Sequence, residues 1–254
     1  MRIGVVIVHY GSWERTTKCQ QSFHDQKTQH QVESFIYNAD IKNVGNGAGC
    51  NDGFQYFMFD ENWIGGIKYD RIIFVNNDTT AGPDFIENIA KVDADFVCPK
   101  VLNYQGDVLY TGGRLTKTGP VHWLKNGTGK TEYLYGCCIK VKPGPFKRCG
   151  MFNKKYFMYF EDVELTLAAK AFGFTMAVAE DAILYHDRES KLDINPDTRY
   201  YAARNFPRAM GWTPHYFVYI FKRLAYFFIM GLYPALRATT QGFCHAITGR
   251  TGKR

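Results

Sequence analysis

Hydrophobic runs separated by polar, capped stretches fill the first hundred residues. RIGVVIVHY, residues 2–10, is an unbroken β-branched run, the pattern of a strand buried on both faces of a parallel sheet. SWERTTKCQQSF follows and predicts a helix with Ser12 as its cap. ESFIYNAD predicts a second strand, NVGNGAGCNDGF a glycine- and asparagine-rich turn leading into QYFMF, and DRIIFVNND a third strand. PDFIENIAKV reads as a helix with proline in its first turn, and ADFVCPKV as a fourth strand. This alternation predicts an α/β fold: a Rossmann-like, mixed but mostly parallel sheet flanked by helices. Between about Val101 and Lys142 the pattern shifts to short strands and glycine turns, after which EDVELTLAAKAFGF is helical.

Composition narrows the class. The chain has 254 residues and a 46% apolar fraction, enough for one large α/β domain with an appendage and too apolar for disorder. Its formal net charge is +7. With no long basic run, zinc finger or RNA-recognition signature, that charge favours an anionic partner such as phosphate or a lipid surface, and no nucleic acid. The seven cysteines are scattered and include no CxxC, which suggests reduced thiols in a cytoplasmic protein. MRIGVVIVHY starts as a strand at once and lacks the longer apolar region and cleavage site of a signal peptide.

Candidate chemistry gathers at strand ends, where open α/β sheets bind ligands. Three ends are polar and small: His9-Tyr10-Gly11, Asn38-Ala39-Asp40 and Asn76-Asn77-Asp78. Each alone reads as a turn; together, on one edge, they read as a binding crevice. A hard divalent cation takes one or two protein carboxylates plus phosphate oxygens, which suits Asp78. Glu161 and Asp162 open a helix behind the aromatic cluster YFMYF, either as ordinary first-turn acids or as walls of a site. His186 ends a strand-like run, and is a metal ligand or a structural histidine depending on what stands beside it. NVGNGAGCNDGF is not GxGxxG, and KNGTGKTEY imitates a Walker A loop but has Leu124 where its first glycine belongs.

Taken in order, VVIVHY, NVGNGAGCNDGF, FVNNDT, GCCIKVKPGPFKRCGMF, FMYFEDVEL, YHDRES and YYAARN resemble the family-2 glycosyltransferases of the GT-A fold, especially rhamnosyltransferase-like enzymes of bacterial surface polysaccharide assembly. The resemblance spans about Ile3 to Met210. It implies a crevice for a nucleoside diphosphate sugar, UDP or dTDP, and a Mn2+ or Mg2+ ion held by Asp78, with His186 completing the metal site. It also implies Asp162 as the general base beside Glu161, and inversion at the sugar. His9, Tyr10, Gly11, Asn38, Asp40, Asn76 and Asn77 would line the donor pocket, with Asn43, Gly45, Asn51 and Gly53 of the N-x-G turn near the nucleoside. RESKLDINPDTRYYAARN is a candidate lid, offering Arg188, Ser190, Tyr201, Arg204 and Asn205 to acceptor or phosphate. The chain departs from the family pattern at Asn76, the first position of the DXD-type motif, and at Tyr37, where many relatives carry an acid.

Residues 1–210 thus form the expected catalytic domain and 211–254 a C-terminal aromatic helical segment. Within it, Lys222 and Arg223 interrupt the apolar run from Pro214 to Leu236, leaving thirteen residues on the longer side, short of the ~20 a spanning helix needs. Phe217, Ile220, Phe221, Leu224, Phe227 and Phe228 recur at helical spacing. The segment reads as a helix packed on its own domain or in a homodimer interface, or as an interfacial helix whose cations, Lys222, Arg223, Arg237, Arg250, Lys253 and Arg254, meet anionic lipid. The last is favoured because acceptors in such pathways are lipid-linked, placing the protein at the inner face of the plasma membrane. Two rival functions are a nucleotidyltransferase, for which HYGSWERTT is a poor match, and a non-catalytic sugar-nucleotide or lipid-binding module that would tolerate loss of Asp162.

Overall fold

The computed structural model describes residues 1–58, 69–125, 128–187 and 194–254. β1 (Arg2–His9) lies between β2 (Gln31–Asn38) and β3 (Arg71–Asn76), parallel to both. Its Ile3, Val5, Val6 and Ile7 are fully buried, which is why the run shows no polar alternation. α1 (Trp13–His24) starts where expected, with Ser12 Oγ accepting from the Arg15 amide at 3.3 Å.

NVGNGAGCNDGF is not a turn throughout, as its composition suggests: residues 46 onward form α2 (Asn46–Met58). Glycine disfavours helices by about 1 kcal/mol, but here it allows the helix to sit directly on the sheet. A Cβ at Gly53 would lie 2.4 Å from Val6 Cγ1, and one at Gly49 would lie 2.8 Å from the Tyr37 ring. Tertiary packing therefore overrides local propensity.

After β3 come the short β4 (Thr79–Ala81), α3 (Phe85–Lys91), β5 (Phe96–Leu102) and β6 (Val108–Tyr110). Pro83 precedes α3 and does not occupy its first turn, as the sequence had suggested; Asp84 makes the entry with φ +54°. β7 (Gly113–Thr116) and β8 (Gly119–His122) form a separate hairpin, followed by β9 (Cys138–Val141), α4 (Pro143–Arg148), α5 (Glu161–Ala171) and β10 (Met176–His186). The main sheet runs β2-β1-β3-β9-β5-β10-β4, with β6 on β5. Its three longest ladders, β1–β2, β1–β3 and β5–β10, are parallel, and β9 and β4 pair antiparallel. The fold class is the expected mixed, mostly parallel α/β sheet flanked by helices.

α6 (Pro196–Met210), α7 (Pro214–Ile229) and α8 (Tyr233–Ile247) complete the chain. The apolar stretch from Pro214 is thus two helices, broken at Met230–Leu232, where Gly231 takes φ +66°. The six apolar positions of α7 grouped by spacing do not share one environment. Ile220 and Phe227 are buried with Tyr216, whereas Phe217, Phe221 and Phe228 face solvent. Among the described residues no helix is long and apolar enough to cross a membrane.

Candidate active site

Parallel pairing of β1 with β2 and β3 brings the three polar ends to one sheet edge, with His9 opposite Asn38 and Val8 opposite Asn76. Most of these side chains act as scaffold. His9 is fully buried, its ring stacked 3.9 Å from Trp13; Nδ1 meets Thr16 Oγ1 at 2.6 Å and Nε2 meets Asp40 Oδ2 at 3.1 Å. A carboxylate only accepts, so Nε2 carries the proton. Asp40 Oδ1 accepts from the Gly11 amide at 3.0 Å, and Asn38 Oδ1 accepts from the Asp40 amide at 3.0 Å. Asn77 Nδ2 donates to Tyr10 O at 3.1 Å and to Thr16 Oγ1 at 2.9 Å. The groups left facing outward are the Tyr10 ring, 63% exposed, and the Asp40 carboxylate, 40% exposed.

β4 is short but decides the next part. Its antiparallel pairing with the end of β10 sets His186 opposite Thr79, beside Asp78. His186 Nε2 lies 3.2 Å from Asp78 Oδ1, and the Asp187 amide donates to Asp78 O at 2.9 Å. Burial pushes the Asp78 carboxyl up, but His186 and the Arg15 guanidinium outweigh it, so the group sits below the usual carboxylate range. Asp78 Oδ1 is nonetheless a buried acceptor without a well-aligned hydrogen bond. A buried carboxylate oxygen that faces an imidazole nitrogen without a well-aligned hydrogen bond fits a divalent cation. Among the described residues no group of three or more His, Cys, Asp or Glu side chains is placed to hold a metal ion, so the candidate donors there are the Asp78–His186 pair. Asp78 opens onto a cleft of about 270 Å3 that also includes Arg15, Lys18, Tyr104 and Asp187; Arg15 pairs with Asp187 at 2.7 Å.

Glu161 and Asp162 begin α5 behind a strained turn. Tyr159 and Phe160, at φ +64° and +75°, both lie in the left-handed region, which is costly for bulky residues. Asn205 on α6 holds this turn, its Nδ2 donating to Met158 O at 2.8 Å and to Tyr159 O at 2.9 Å. Asp162 Oδ2 accepts from the Tyr133 hydroxyl and from the Gly136 amide at 3.1 Å; Oδ1 accepts from the Val163 amide at 2.8 Å. Burial raises the Asp162 carboxyl despite these donors. Glu161, 8% exposed, points beneath α2, with Oε1 accepting from Asn46 Nδ2 at 3.4 Å and Oε2 unpartnered. Burial first, and the Asp162 charge second, push it up to about 7.

Tyr133 and Tyr135, in the region of short strands and glycine turns, join the two acidic sites. Tyr135 OH lies 3.5 Å from His186 Nδ1; His122 sits against Tyr135, ring centroids 4.5 Å apart, and stacks on Tyr133, which donates to Asp162. The Asn76 amide, donating to Cys137 O at 3.0 Å, anchors this strip to the end of β3. The alternation Y-L-Y before GCC was the available signal.

Other expected contacts fall elsewhere. Asn51 is buried and clamps α2 to Phe152, donating to its carbonyl at 2.7 Å and accepting from its amide at 3.1 Å. It is thus a packing device and is not presented to a nucleoside. Asn43 accepts from the Gly45 amide at 3.3 Å, and Gly45, at φ +92°, leaves no room for a Cβ, which would meet Phe157 O at 2.2 Å. Tyr201, Arg204 and Asn205 are buried and do not form a lid. The Tyr201 ring stacks on Phe157, Arg204 donates to Asn205 Oδ1 at 2.9 Å and Gly252 O at 2.6 Å, and Asn205 holds the turn before Glu161. A phosphate contact from Arg204 or Asn205 is therefore replaced by a structural one. Arg188 and Ser190 lie outside the described residues.

No family model and no curated protein sequence matches the chain. Among solved structures it is similar to GalNAc-T7 with UDP, GalNAc and Mn2+, at TM-score 0.54 and 11% identity over 88% of this chain and 50% of that one. It is also similar to the catalytic domain of Drosophila beta1,4galactosyltransferase 7 in complex with xylobiose, at 0.50 and 12% over 76% of each chain. S. aureus TarS 1–349 in complex with UDP-GlcNAc matches at 0.50 and 15% over 82% of this chain and 66% of that one. The chain spans half the length of the first of these and about three quarters of the second. These neighbours show the GT-A glycosyltransferase fold.

Proposed function

We propose that this chain is a divalent-metal-dependent, inverting glycosyltransferase. It moves a hexosyl or deoxyhexosyl group from a nucleoside diphosphate sugar, UDP- or dTDP-linked, to a hydroxyl of a glycan acceptor. The observation that carries this reading is the contact chain that links the Asp78–His186 pair to Asp162 through Tyr135, His122 and Tyr133. UDP with Mn2+ in GalNAc-T7 and UDP-GlcNAc in TarS, on the same fold, support it.

Tyr10 and Asp40 suit a nucleoside, with the ring stacking on a base and the carboxylate accepting from a base N–H or a ribose hydroxyl. Asp78 and His186 would hold Mn2+ or Mg2+, which when bound supplies positive charge against the leaving diphosphate. Asp162 takes the acceptor hydroxyl proton as the new C1–O bond forms, and the old C1–O bond breaks with its electron pair going to the nucleoside diphosphate. Its raised carboxyl makes it a stronger base than an exposed aspartate. Retention by double displacement would need a second carboxylate at the sugar. Glu161, the neighbouring one, is turned into the interior, which supports inversion. The reading extends to a lipid-linked acceptor in surface polysaccharide assembly, met at the inner face of the plasma membrane by the cationic C-terminal segment.

The test is a thermal-shift panel of UDP, dTDP, GDP and CMP with and without Mn2+, paired with Asp162→Asn. Stabilisation by one diphosphate only with metal, kept in Asp162→Asn while turnover is lost, is the expected result. Wild-type turnover in Asp162→Asn would refute the base assignment, and no shift with any nucleotide would refute the donor site.

A further inference from the structure

From Gly211 to Arg254 the chain has six cations and no Asp or Glu, so these residues hold nearly all of the +7 net charge. Arg254 and Arg250 are engaged within the fold. Arg254 pairs with Asp197 at 3.1 Å and lies over the Tyr200 ring, and Arg250 sits 3.4 Å from His245. Among the described residues no carboxylate comes within ion-pair reach of Lys222, Arg223 or Arg237.

Two of those three stand on α7, whose outward face is apolar. Tyr216, Ile220 and Phe227 bury the inward face, while Phe217, Phe221, Phe228 and Ile229 project to solvent, Phe221 68% and Ile229 78% exposed. Beside this row runs an almost wholly apolar groove of about 500 Å3, between Val218, Tyr219, Lys222, Arg223 and Tyr226 on α7 and Thr118 at the tip of the β7–β8 hairpin. α7 has 16 residues, about 24 Å of helix, too short to cross a bilayer core of ~30 Å.

We infer that this groove and row seat an anionic phospholipid at a bilayer surface, with an acyl chain in the groove, the phosphate at Lys222 and Arg223, and the phenylalanine row among the upper acyl carbons. The inference rests on the membrane-surface reading above and names the residues that make the contact. An aromatic apolar row flanked by cations, on a helix too short to span, is the pattern of an in-plane interfacial helix. Cations without a carboxylate partner among the described residues find a counter-ion in phosphate. A second copy is the poorer occupant, because a two-fold contact through α7 would set Lys222 and Arg223 near their own equivalents with no carboxylate on the helix to meet them.

The full chain is tested against vesicles of phosphatidylglycerol in phosphatidylcholine and of phosphatidylcholine alone. We expect sedimentation with the anionic vesicles only, weakened by high salt and reduced about tenfold or more in Lys222→Glu/Arg223→Glu. Brominated acyl chains should quench the fluorescence of Trp212, whose ring centroid is 6.0 Å from that of Phe217. Val218→Asp, on the groove wall, should remove that quenching. Both variants are first shown to keep the wild-type melting temperature. Equal binding to neutral vesicles, no binding, wild-type binding by the double charge reversal, or a dimer that these variants dissolve would each overturn the inference. The UDP–Mn2+ thermal shift, measured without lipid on the same protein, separates failure of docking from failure of the transferase reading.

Discussion

Replacing Glu161 with glutamine should stabilise the protein, and more so as pH rises. In the fold Glu161 keeps its proton up to about pH 7, because it is buried beneath α2 next to Asp162, whereas its ordinary value is 4.5. Between those values the folded state binds more protons than the unfolded one, so stability falls as pH rises from 4.5 to 7 and levels off above. The displacement from 4.5 to about 7, at 1.36 kcal/mol per pH unit, is about 3 kcal/mol. Glu161→Gln removes that cost and keeps the oxygen that accepts from Asn46. Oε2 has no partner in any case, so an amide there leaves one unpaired buried group, as before.

The assay is thermal melting of both proteins from pH 5 to pH 8.5. At pH 5 the two should differ by under about 1 kcal/mol, since little of the interval has been crossed. At pH 8 the variant should melt higher by about 6–12 °C, taking 2–4 °C per kcal/mol for a chain of this size. Parallel melting curves across the range, or a variant less stable at pH 8, would show that Glu161 is ionised in the fold and that the argument from burial is wrong.

Four other outcomes follow from the same geometry. Asp78→Ala should lose the Mn2+-dependent part of UDP stabilisation while keeping the fold, read by thermal shift, because it removes a carboxylate proposed as a metal donor. The acid limb of kcat/KM should lie above the ordinary aspartate range, since burial raises Asp162, and activity should fall as pH drops through it; a limb at the ordinary value would contradict the assignment. Gly45→Ala should melt well below wild type, by about 2 kcal/mol or more, given φ +92° and a backbone oxygen where the Cβ would stand. Asn205→Leu leaves Met158 O and Tyr159 O without their donor; turnover should drop while the UDP–Mn2+ shift persists, measured by steady-state kinetics beside thermal shift.

What the sequence revealed depended on whether local pattern and tertiary need agree. They agree in β1, where a strand buried on both faces needs only apolar, β-branched residues, and at Ser12, where a cap acts within three residues. They conflict in α2, where glycines that signal a turn are what allow the helix to rest on Val6 and Tyr37. Asp78 and His186 were each visible as candidates. Their pairing came from the resemblance alone; hydrophobic pattern and spacing could not supply it, because it depends on a three-residue strand pairing with the end of β10. Arg204 and Asn205 misled for a related reason: polarity on a helix shows that a side chain needs partners, and theirs are interior carbonyls and each other, where phosphate had been expected. Helical spacing likewise grouped Phe217, Phe221 and Phe228 with Ile220 and Phe227, though α7 turns the first three outward and buries the other two. A helix apolar nearly all round gives spacing nothing to discriminate with.

The consecutive residues Asn205 and Phe206 tie the two ends of the molecule together. Asn205 holds the strained turn that aims Glu161 inward and leaves Asp162 to Tyr133 and Gly136. Phe206 stacks on Tyr216 and Tyr219 of α7 and meets Phe160 edge-on, ring centroids 5.6 Å apart. Phe160 is itself one of the two left-handed residues of that turn. A shift of α7 against α6 therefore reaches the backbone before Asp162 through one aromatic contact and one amide. Strain of this kind persists only where the surroundings over-determine it, and here the surroundings include the helix that carries Lys222 and Arg223. The surface assigned to lipid and the carboxylate assigned to the acceptor proton thus share a support, so their geometry is set jointly even though their chemistry is separate.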